Sequence, residues 1–303
     1  MADRRRIIQW AALLANNAYL KGFAAGRIYR GGLKSICVPG LNCYSCPGAV
    51  ASCPLGSLQA ILGDYGYKFS FYVVGLMMGF GLVFGRLICG FLCPFGLMQE
   101  LFYKIPSRKA ANGGARWLRW GKYVTLAVFV IAIPIFFRGD LGIGEPAFCK
   151  YICPAGTITA GLPLVAAKSS LREAVGGLFA FKVFIAIAVV FACVVIYRFF
   201  CKSLCPLGAF YGFFNKIALY RMSCDGNSCV RCGACSGTCK MGVDPSREPD
   251  SAECIRCGEC LKACPSSALR AGFEFGRTLH GGASAQHIVS GTAATPRYLQ
   301  KRL

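Results

Sequence analysis

The feature that most constrains this chain is a repeated string. Arg86-Leu87-Ile88-Cys89-Gly90-Phe91-Leu92-Cys93-Pro94-Phe95-Gly96 returns as Arg198-Phe199-Phe200-Cys201-Lys202-Ser203-Leu204-Cys205-Pro206-Leu207-Gly208. The likeness runs on, because Phe102, Lys104 and Ile105 correspond to Phe214, Lys216 and Ile217. Each copy closes an apolar stretch, and each half opens on a weaker cysteine set. In the first half this is Cys46-Pro47 through Cys53-Pro54-Leu55-Gly56; in the second it is Cys149 through Cys153-Pro154-Ala155-Gly156. Two similar halves are expected, at about 37–110 and 149–220, related by a pseudo-twofold.

With 55% hydrophobic residues, 16% charged residues and a mean hydropathy of +0.50, the chain is poorer in charge than a water-soluble domain, which carries about 25%. Disorder, collagen and an ordinary cytosolic enzyme are excluded as descriptions of the whole. Four apolar stretches, 7–26, 69–85, 123–137 and 174–197, approach the roughly 20 residues that a membrane span needs. The third reaches that length only if Trp117, Leu118 and Trp120 extend it, and tryptophans suit a headgroup boundary. The first follows Arg4, Arg5 and Arg6 and is expected to be a retained helix. As an export signal it would have only a loose cleavage site at Ala24-Ala25-Gly26.

The net charge is +21, from 34 Lys and Arg against 13 Asp and Glu. Residues 224–272 are balanced, six basic against six acidic, so the excess flanks the apolar stretches and argues against a nucleic-acid partner. Between the second and third stretches seven basic residues accompany one acid, Glu100, while the segments on either side hold four basic residues each. Lys and Arg mark the cytoplasmic side, so a multi-pass protein of the cell inner membrane is expected, surrounded by lipid, with both termini cytoplasmic.

The two histidines, His280 and His287, lie in a Gly, Ala and Ser rich tail (273–303) expected to be mobile. No apolar stretch offers a haem its axial histidines, so no haem is expected. No paired carboxylates, nucleophile with base, or phosphate-cradling loop stands out, and no catalytic residue is assigned. The chemistry falls to sulfur, of which the chain has 20 cysteines.

Cys229, Cys232, Cys235 and Cys239, then Cys254, Cys257, Cys260 and Cys264 before Pro265, form two copies of C-x2-C-x2-C-x3-C. In this spacing three thiolates of each run hold corners of a cubic 4Fe-4S cluster and the fourth closes the other cage. Cluster one takes Cys229, Cys232, Cys235 and Cys264; cluster two takes Cys254, Cys257, Cys260 and Cys239. The first run ends Cys239-Lys240, without the usual proline. Zinc sites and disulfides are the bland alternatives.

In the repeated strings, C-x3-C places two sulfurs on one helical face, and the proline after the second, Pro94 or Pro206, favours the first turn of a new helix. That thiolate then sits at a helix N-terminus, which stabilises anionic sulfur. Each pair is half a cluster site, so Cys89, Cys93, Cys201 and Cys205, on the same inner side, are expected to combine as four ligands. Arg86 and Arg198 precede the pairs, where they either ease the cluster's negative charge or anchor the interface. On the outer side Cys37, Cys43, Cys46 and Cys53 join Cys149 and Cys153 as candidates. Either the first four bind a cluster alone, or some of them combine with the later pair; disulfides are the alternative.

Cys193, amid apolar neighbours, is expected to be a small buried hydrophobe, and Cys224 a spare. Ser290-Gly291-Thr292-Ala293-Ala294-Thr295 faintly resembles a covalent flavin attachment site but has no flavin-sized domain around it. Lys182, inside the fourth apolar stretch, invites a functional role.

Together these motifs resemble those of membrane-bound 4Fe-4S polyferredoxins with C-x3-C-P motifs. That family includes the NapH-type quinol-dehydrogenase membrane subunit of periplasmic nitrate reductase systems and the carboxy-terminal half of the nitrous-oxide reductase regulator. The likeness covers roughly 4–272 in layout and rests on Cys89-x3-Cys93-Pro94, Cys201-x3-Cys205-Pro206 and the two ferredoxin runs. The resemblance implies electron transfer between a quinol pool or cytoplasmic donor and a partner across the membrane. The segment from Cys37 to Pro47 and the pair Cys149/Cys153 depart from the pattern; they suit a longer cluster chain better than a nitrate-specific role.

The expected fold is an α-helical integral membrane protein of about four transmembrane helices with internal duplication (1–223), followed by a C-terminal α+β two-cluster bacterial ferredoxin module (224–272). The expected function is single-electron transfer through 4Fe-4S clusters, as an electron-transfer subunit of a larger oxidoreductase complex rather than a stand-alone enzyme. A quinone site is left open. The alternatives are a ferredoxin-type assembly or metal-reducing factor for a metalloenzyme, and a redox-sensing regulator.

Overall fold

The computed structural model describes residues 2–64, 71–110, 116–137 and 144–274, and Met1–Phe273 forms one compact unit. The expectations for His280, His287 and Ser290 to Thr295 lie outside the described residues.

Helix α1 (Ala2–Asn16) begins where Arg5 Nε donates to the Gly90 carbonyl (3.2 Å) and ends where the Val50 N–H reaches the Asn16 carbonyl. The chain breaks its helix after Asn16 and resumes one at Lys21–Ala25, so 7–26 is not one continuous rod. Helix α2 (Pro54–Leu62) and the apolar α3 (Phe71–Phe84) follow. The first repeated string folds as α4 (Leu87–Phe91) and α5 (Pro94–Tyr103). Next come α6 (Trp117–Phe136), α7 (Pro154–Ala167) and α8 (Gly177–Val195). The second string folds as α9 (Phe199–Ser203) and α10 (Pro206–Phe214).

Among the described residues, α6 and α8 are the two helices long and apolar enough to cross a membrane. The expected extension of the third stretch by Trp117 and Trp120 is present, with both indoles more than 70% exposed. Along α8, Phe181, Phe184, Ile187 and Phe191 are all at least half exposed, an apolar face larger than a water-facing helix carries. Helix α3 has 14 described residues and falls short of a span. In α6 and α7 the ladder slips to π geometry over Thr125–Ala132 and Thr157–Gly161. Pro134 and Pro163 follow each segment within two residues, and a proline there removes the N–H that an i to i−4 bond would use.

Strands β1 (Tyr220–Cys224) and β2 (Leu269–Phe273) pair antiparallel, Met222 opposite Ala271 and Cys224 opposite Leu269. Between them lie α11 (Ala234–Thr238) and α12 (Glu259–Ala263). The two cysteine runs fold alike. Arg231 and Arg256 take positive φ (51° and 53°), as do Gly233 and Gly258 (75° and 78°), so each C-x2-C-x2-C loop curls its sulfurs toward one point. The paired arginines differ in placement: Arg231 is exposed, whereas Arg256 is buried and donates to the carbonyls of Phe84 (3.0 Å) and Asn215 (2.6 Å).

That burial docks this ferredoxin-like lobe on the helices. Glu253 receives Arg86 (3.0 Å) and Lys122 together, and Asn215 Nδ2 donates to the carbonyls of Ser251 and Cys254, both at 2.8 Å. Arg119, at the start of α6, donates to the Gly242 carbonyl (3.0 Å). Removing one member of a buried ion cluster leaves the others unpaired. Glu253→Gln is therefore expected to destabilise the protein by about 3 kcal/mol, read as a lowered thermal transition, with hydrogen exchange rising first around 244–256. An unchanged transition would show that this contact contributes nothing to docking.

Candidate cluster sites

The C-x3-C-P strings do not lay both sulfurs on one helical face, as the spacing had suggested. Cys89 lies within α4 and Cys201 within α9, while Cys93 and Cys205 are the N-caps of α5 and α10. Proline starts a new helix at the second cysteine, so the chain turns there. The N–H of that cysteine closes back five residues, from Cys93 to Ile88 (3.2 Å), from Cys205 to Phe200 (2.8 Å), and in the opening set from Cys153 to Phe148 (2.9 Å). Cys53 and Cys153 cap α2 and the start of α7 likewise. In all four C-P-x-G turns the glycine N–H, from Gly56, Gly96, Gly156 or Gly208, faces the capping sulfur and favours its thiolate.

The structure brings Cys89, Cys93, Cys201 and Cys205 together in one buried cage, each 5–7% exposed. Burial pushes the Cys89, Cys93 and Cys205 thiols up, Cys93 to about 12, and the neighbouring sulfurs add to it. Two fully buried arginines cross between the halves. Arg86 Nη2 donates to the Cys201 carbonyl (3.1 Å) and Arg198 Nη1 to the Cys89 carbonyl (2.5 Å). Arg198 takes a left-handed backbone (φ 50°), costly for a non-glycine residue. It is held by Glu100, which also accepts from Tyr197 Oη (2.7 Å) and pairs with Arg5. Burial pushes the Glu100 carboxyl up, but Arg198 and Arg5 outweigh it and hold it below its ordinary value.

Sequence spacing had missed Gln99, which is fully buried. Its Nε2 donates to Cys201 Sγ (3.1 Å), and its Oε1 accepts from the Cys201 N–H (3.4 Å) and the Cys193 thiol (3.6 Å). Cys193 is thus buried, as expected, but supports the cage rather than merely filling space.

This environment fits an iron-sulfur cluster. Four thiols lie free of any disulfide, iron keeps bound thiolates ionised despite burial, and fixed guanidinium groups offset the net negative charge. Arg86 Nε is buried without a hydrogen-bond partner. Among the described residues no three His, Cys, Asp or Glu side chains converge as a single ion requires; ligands around a cube stand farther apart.

In the ferredoxin lobe, Cys239, Cys254, Cys257 and Cys260 face one another, and Cys239 and Cys257 pack on the core of the helices. Cys229, Cys232, Cys235 and Cys264 line one open cavity on the lobe. Cys224, expected to be a spare, lines that cavity too, beside Cys229. On the side of the helices away from the lobe, Cys43, Cys53, Cys149 and Cys153 are neighbours. Cys37 turns toward Ser57 Oγ (3.4 Å); Cys46 lies beside Cys43 but its thiol points to Asn17 Oδ1 (3.7 Å), and it does not face Cys53, Cys149 or Cys153.

Sulfur cages of this kind, with C-x2-C-x2-C-x3-C runs and cluster-bearing loops, define a class: the chain is a ferredoxin-type 4Fe-4S electron-transfer protein of polyferredoxin-like build. A 4Fe-4S binding domain family matches residues 69–111, 123–171 and 178–221, and a second 4Fe-4S binding domain family matches 248–270. An uncharacterized protein of Methanocaldococcus jannaschii is 28% identical over 64% of this chain and 75% of its own length. The methylamine utilization ferredoxin-type protein MauN of Paracoccus denitrificans is 27% identical over 78% of this chain and 74% of its own. NirI of the same organism is 29% identical over 57% of this chain and 24% of its own. No solved structure matches.

The glycines of the inner turns leave little room for a side chain. A Cβ on Gly208 would stand 3.1 Å from the Cys201 carbonyl and 3.2 Å from Arg86 Nη2; one on Gly96 would meet Cys89 and Arg198 at 3.0 and 3.2 Å. Gly208→Ala is expected to cost about 1–3 kcal/mol, measured as a lower thermal transition, and Gly75→Ala, whose Cβ would meet nothing, to cost none.

Proposed function

We propose that the chain is a multi-pass membrane electron relay in which the inner cage, Cys89, Cys93, Cys201 and Cys205, holds a 4Fe-4S cluster in line with the two of the ferredoxin lobe. One observation carries this reading: the inner cage lies directly against the cluster-two loop. A Cβ on Gly90, next to Cys89, would stand 2.5 Å from the Ile255 carbonyl, next to Cys254. Arg86 touches both sites, donating to the Cys201 and Ala252 carbonyls.

Each 4Fe-4S cluster, when bound, takes up and releases one electron without making or breaking a bond to a substrate. The residues set where that happens. Cys229, Cys232, Cys235 and Cys264 stand at the exposed end, where a soluble redox protein can dock; Cys239, Cys254, Cys257 and Cys260 stand inward; the inner cage comes next. Arg86 and Arg198 hold positive charge against the added electron.

The chain is read as a multi-pass membrane protein, spanned by α6 and α8 with the apolar stretches at 7–26 and 69–85 also placed in the bilayer, with both termini and the lobe on the cytoplasmic side of the inner membrane, in keeping with the basic residues there. The relay would serve as one subunit of a larger redox complex. A quinol donor is the second reading, favoured by a cleft lined by Arg5, Arg6, Trp10, Glu100, Lys104 and Tyr197 among others, whose Glu100 also holds Arg198. Service as a metal-reducing assembly factor, or as a redox-sensing regulator, would use the same cages with a different recipient.

Anaerobic purification with iron and sulfide analysis tests the proposal. Replacing Cys89 and Cys201 by serine should remove about four irons per chain and one paramagnetic signal, leaving the two signals of the lobe. An unchanged iron count would refute a cluster in the inner cage.

A further inference from the structure

Three outer cysteines, Cys53, Cys149 and Cys153, stand at the positions of Cys93, Cys201 and Cys205 in the inner cage. Gln59 and Gln99 each stand sixth after a capping cysteine, Cys53 and Cys93, and both are fully buried. Gln99 Nε2 donates to the Phe95 carbonyl and to Cys201 Sγ. Gln59 Nε2 does the same with the Leu55 carbonyl (3.2 Å) and Cys149 Sγ (3.2 Å), while its Oε1 accepts the Phe148 N–H (3.1 Å). The glutamine of the first half thus reaches the first cysteine of a C-x3-C-P string in the second half at both levels. This makes Cys53 the counterpart of Cys93, Cys149 of Cys201, and Cys153 of Cys205.

The place of Cys89 falls to Cys43. It is the loop sulfur that faces Cys53, Cys149 and Cys153, and a Cβ on Gly156 would stand 3.4 Å from its sulfur. Lys182 supplies a cation here, donating to the Cys149 carbonyl (3.2 Å), as Arg86 does to the carbonyl of its counterpart Cys201 at the inner level.

We propose that Cys43, Cys53, Cys149 and Cys153 hold a further 4Fe-4S cluster, oriented by Gln59, with Cys37 and Cys46 outside its ligand set. This deepens the relay reading by adding its far terminus. The distance suits such a role: Lys182 marks the outer cage and Cys193 the inner one on the same helix, and 11 residues at 1.5 Å each separate them by about 16 Å. Tyr211, fully buried with its hydroxyl on the Pro39 carbonyl (3.0 Å), lies between, facing Cys89 and Cys93 on one side and Cys53 on the other.

The test uses the full-length chain in detergent, purified without oxygen. About sixteen irons per chain are expected, with Cys43→Ser or Cys149→Ser losing about four of them and one paramagnetic signal, and Cys37→Ser or Cys46→Ser losing none. If a cysteine variant fails to assemble, Gln59→Leu decides: it should shift the midpoint potential of that one signal alone and leave the iron count unchanged. About twelve irons, or iron loss in Cys37→Ser with none in Cys43→Ser, would overturn the assignment. Failure of the relay reading is separate, since loss of the inner cluster in the Cys89/Cys201 variant should leave the outer signal in place.

Discussion

The arrangement depends on how negative sulfur can be kept inside an apolar helical bundle. Four thiolates bearing a metal cluster cannot be buried without a fixed counter-charge. Arg86 and Arg198 supply it as a crossed pair, each rooted in one half and hydrogen-bonded to a cysteine carbonyl of the other. Because each arginine serves the opposite half, the two repeats cannot separate without exposing both charges. Their far ends are pinned by Glu253 and Glu100. One of these belongs to the docked ferredoxin-like lobe and the other to the contact with α1, so the same electrostatic requirement organises the bundle and the docking of the lobe.

Much of this was legible in the sequence. The duplication could be read from two strings, and the proline after each second cysteine marked a helix start. The tandem cysteine runs implied exchanged fourth ligands, and Cys239 does face Cys254 and Cys257 in the structure. Positions of charge were also informative: Arg86 and Arg198 stood out because they precede the cysteine pairs.

What stayed hidden was long-range. Six outer cysteines could be divided in several ways, because nothing in their spacing records that the loop of 37–53 folds back to meet Cys149 and Cys153. The glutamines at the sixth position carried a signal, C-P-x-G-x-x-Q at both Cys53 and Cys93, but its meaning needs the partner sulfur in the other half. A helical repeat suggested one face for both sulfurs of C-x3-C-P; the proline overrides it by ending one helix and starting the next. Cys224 looked superfluous until pairing of β1 with β2 placed it beside the cavity of cluster one.

The sulfur cages therefore form a graded series, from the open cavity of the lobe, through the docked loop, to the buried cages among the helices. The central claim is that this series carries electrons through the bilayer rather than merely anchoring a ferredoxin to it. Its most direct test is a sealed proteoliposome containing the full-length chain in one orientation, with a membrane-impermeant reductant outside and an impermeant one-electron acceptor trapped inside. The account predicts that the trapped acceptor is reduced when the lobe faces the reductant, and that Cys89→Ser with Cys201→Ser abolishes this while the lobe still becomes reduced. Reduction of the lobe in the intact protein with no electrons reaching the interior, beyond leakage through lipid alone, would contradict it.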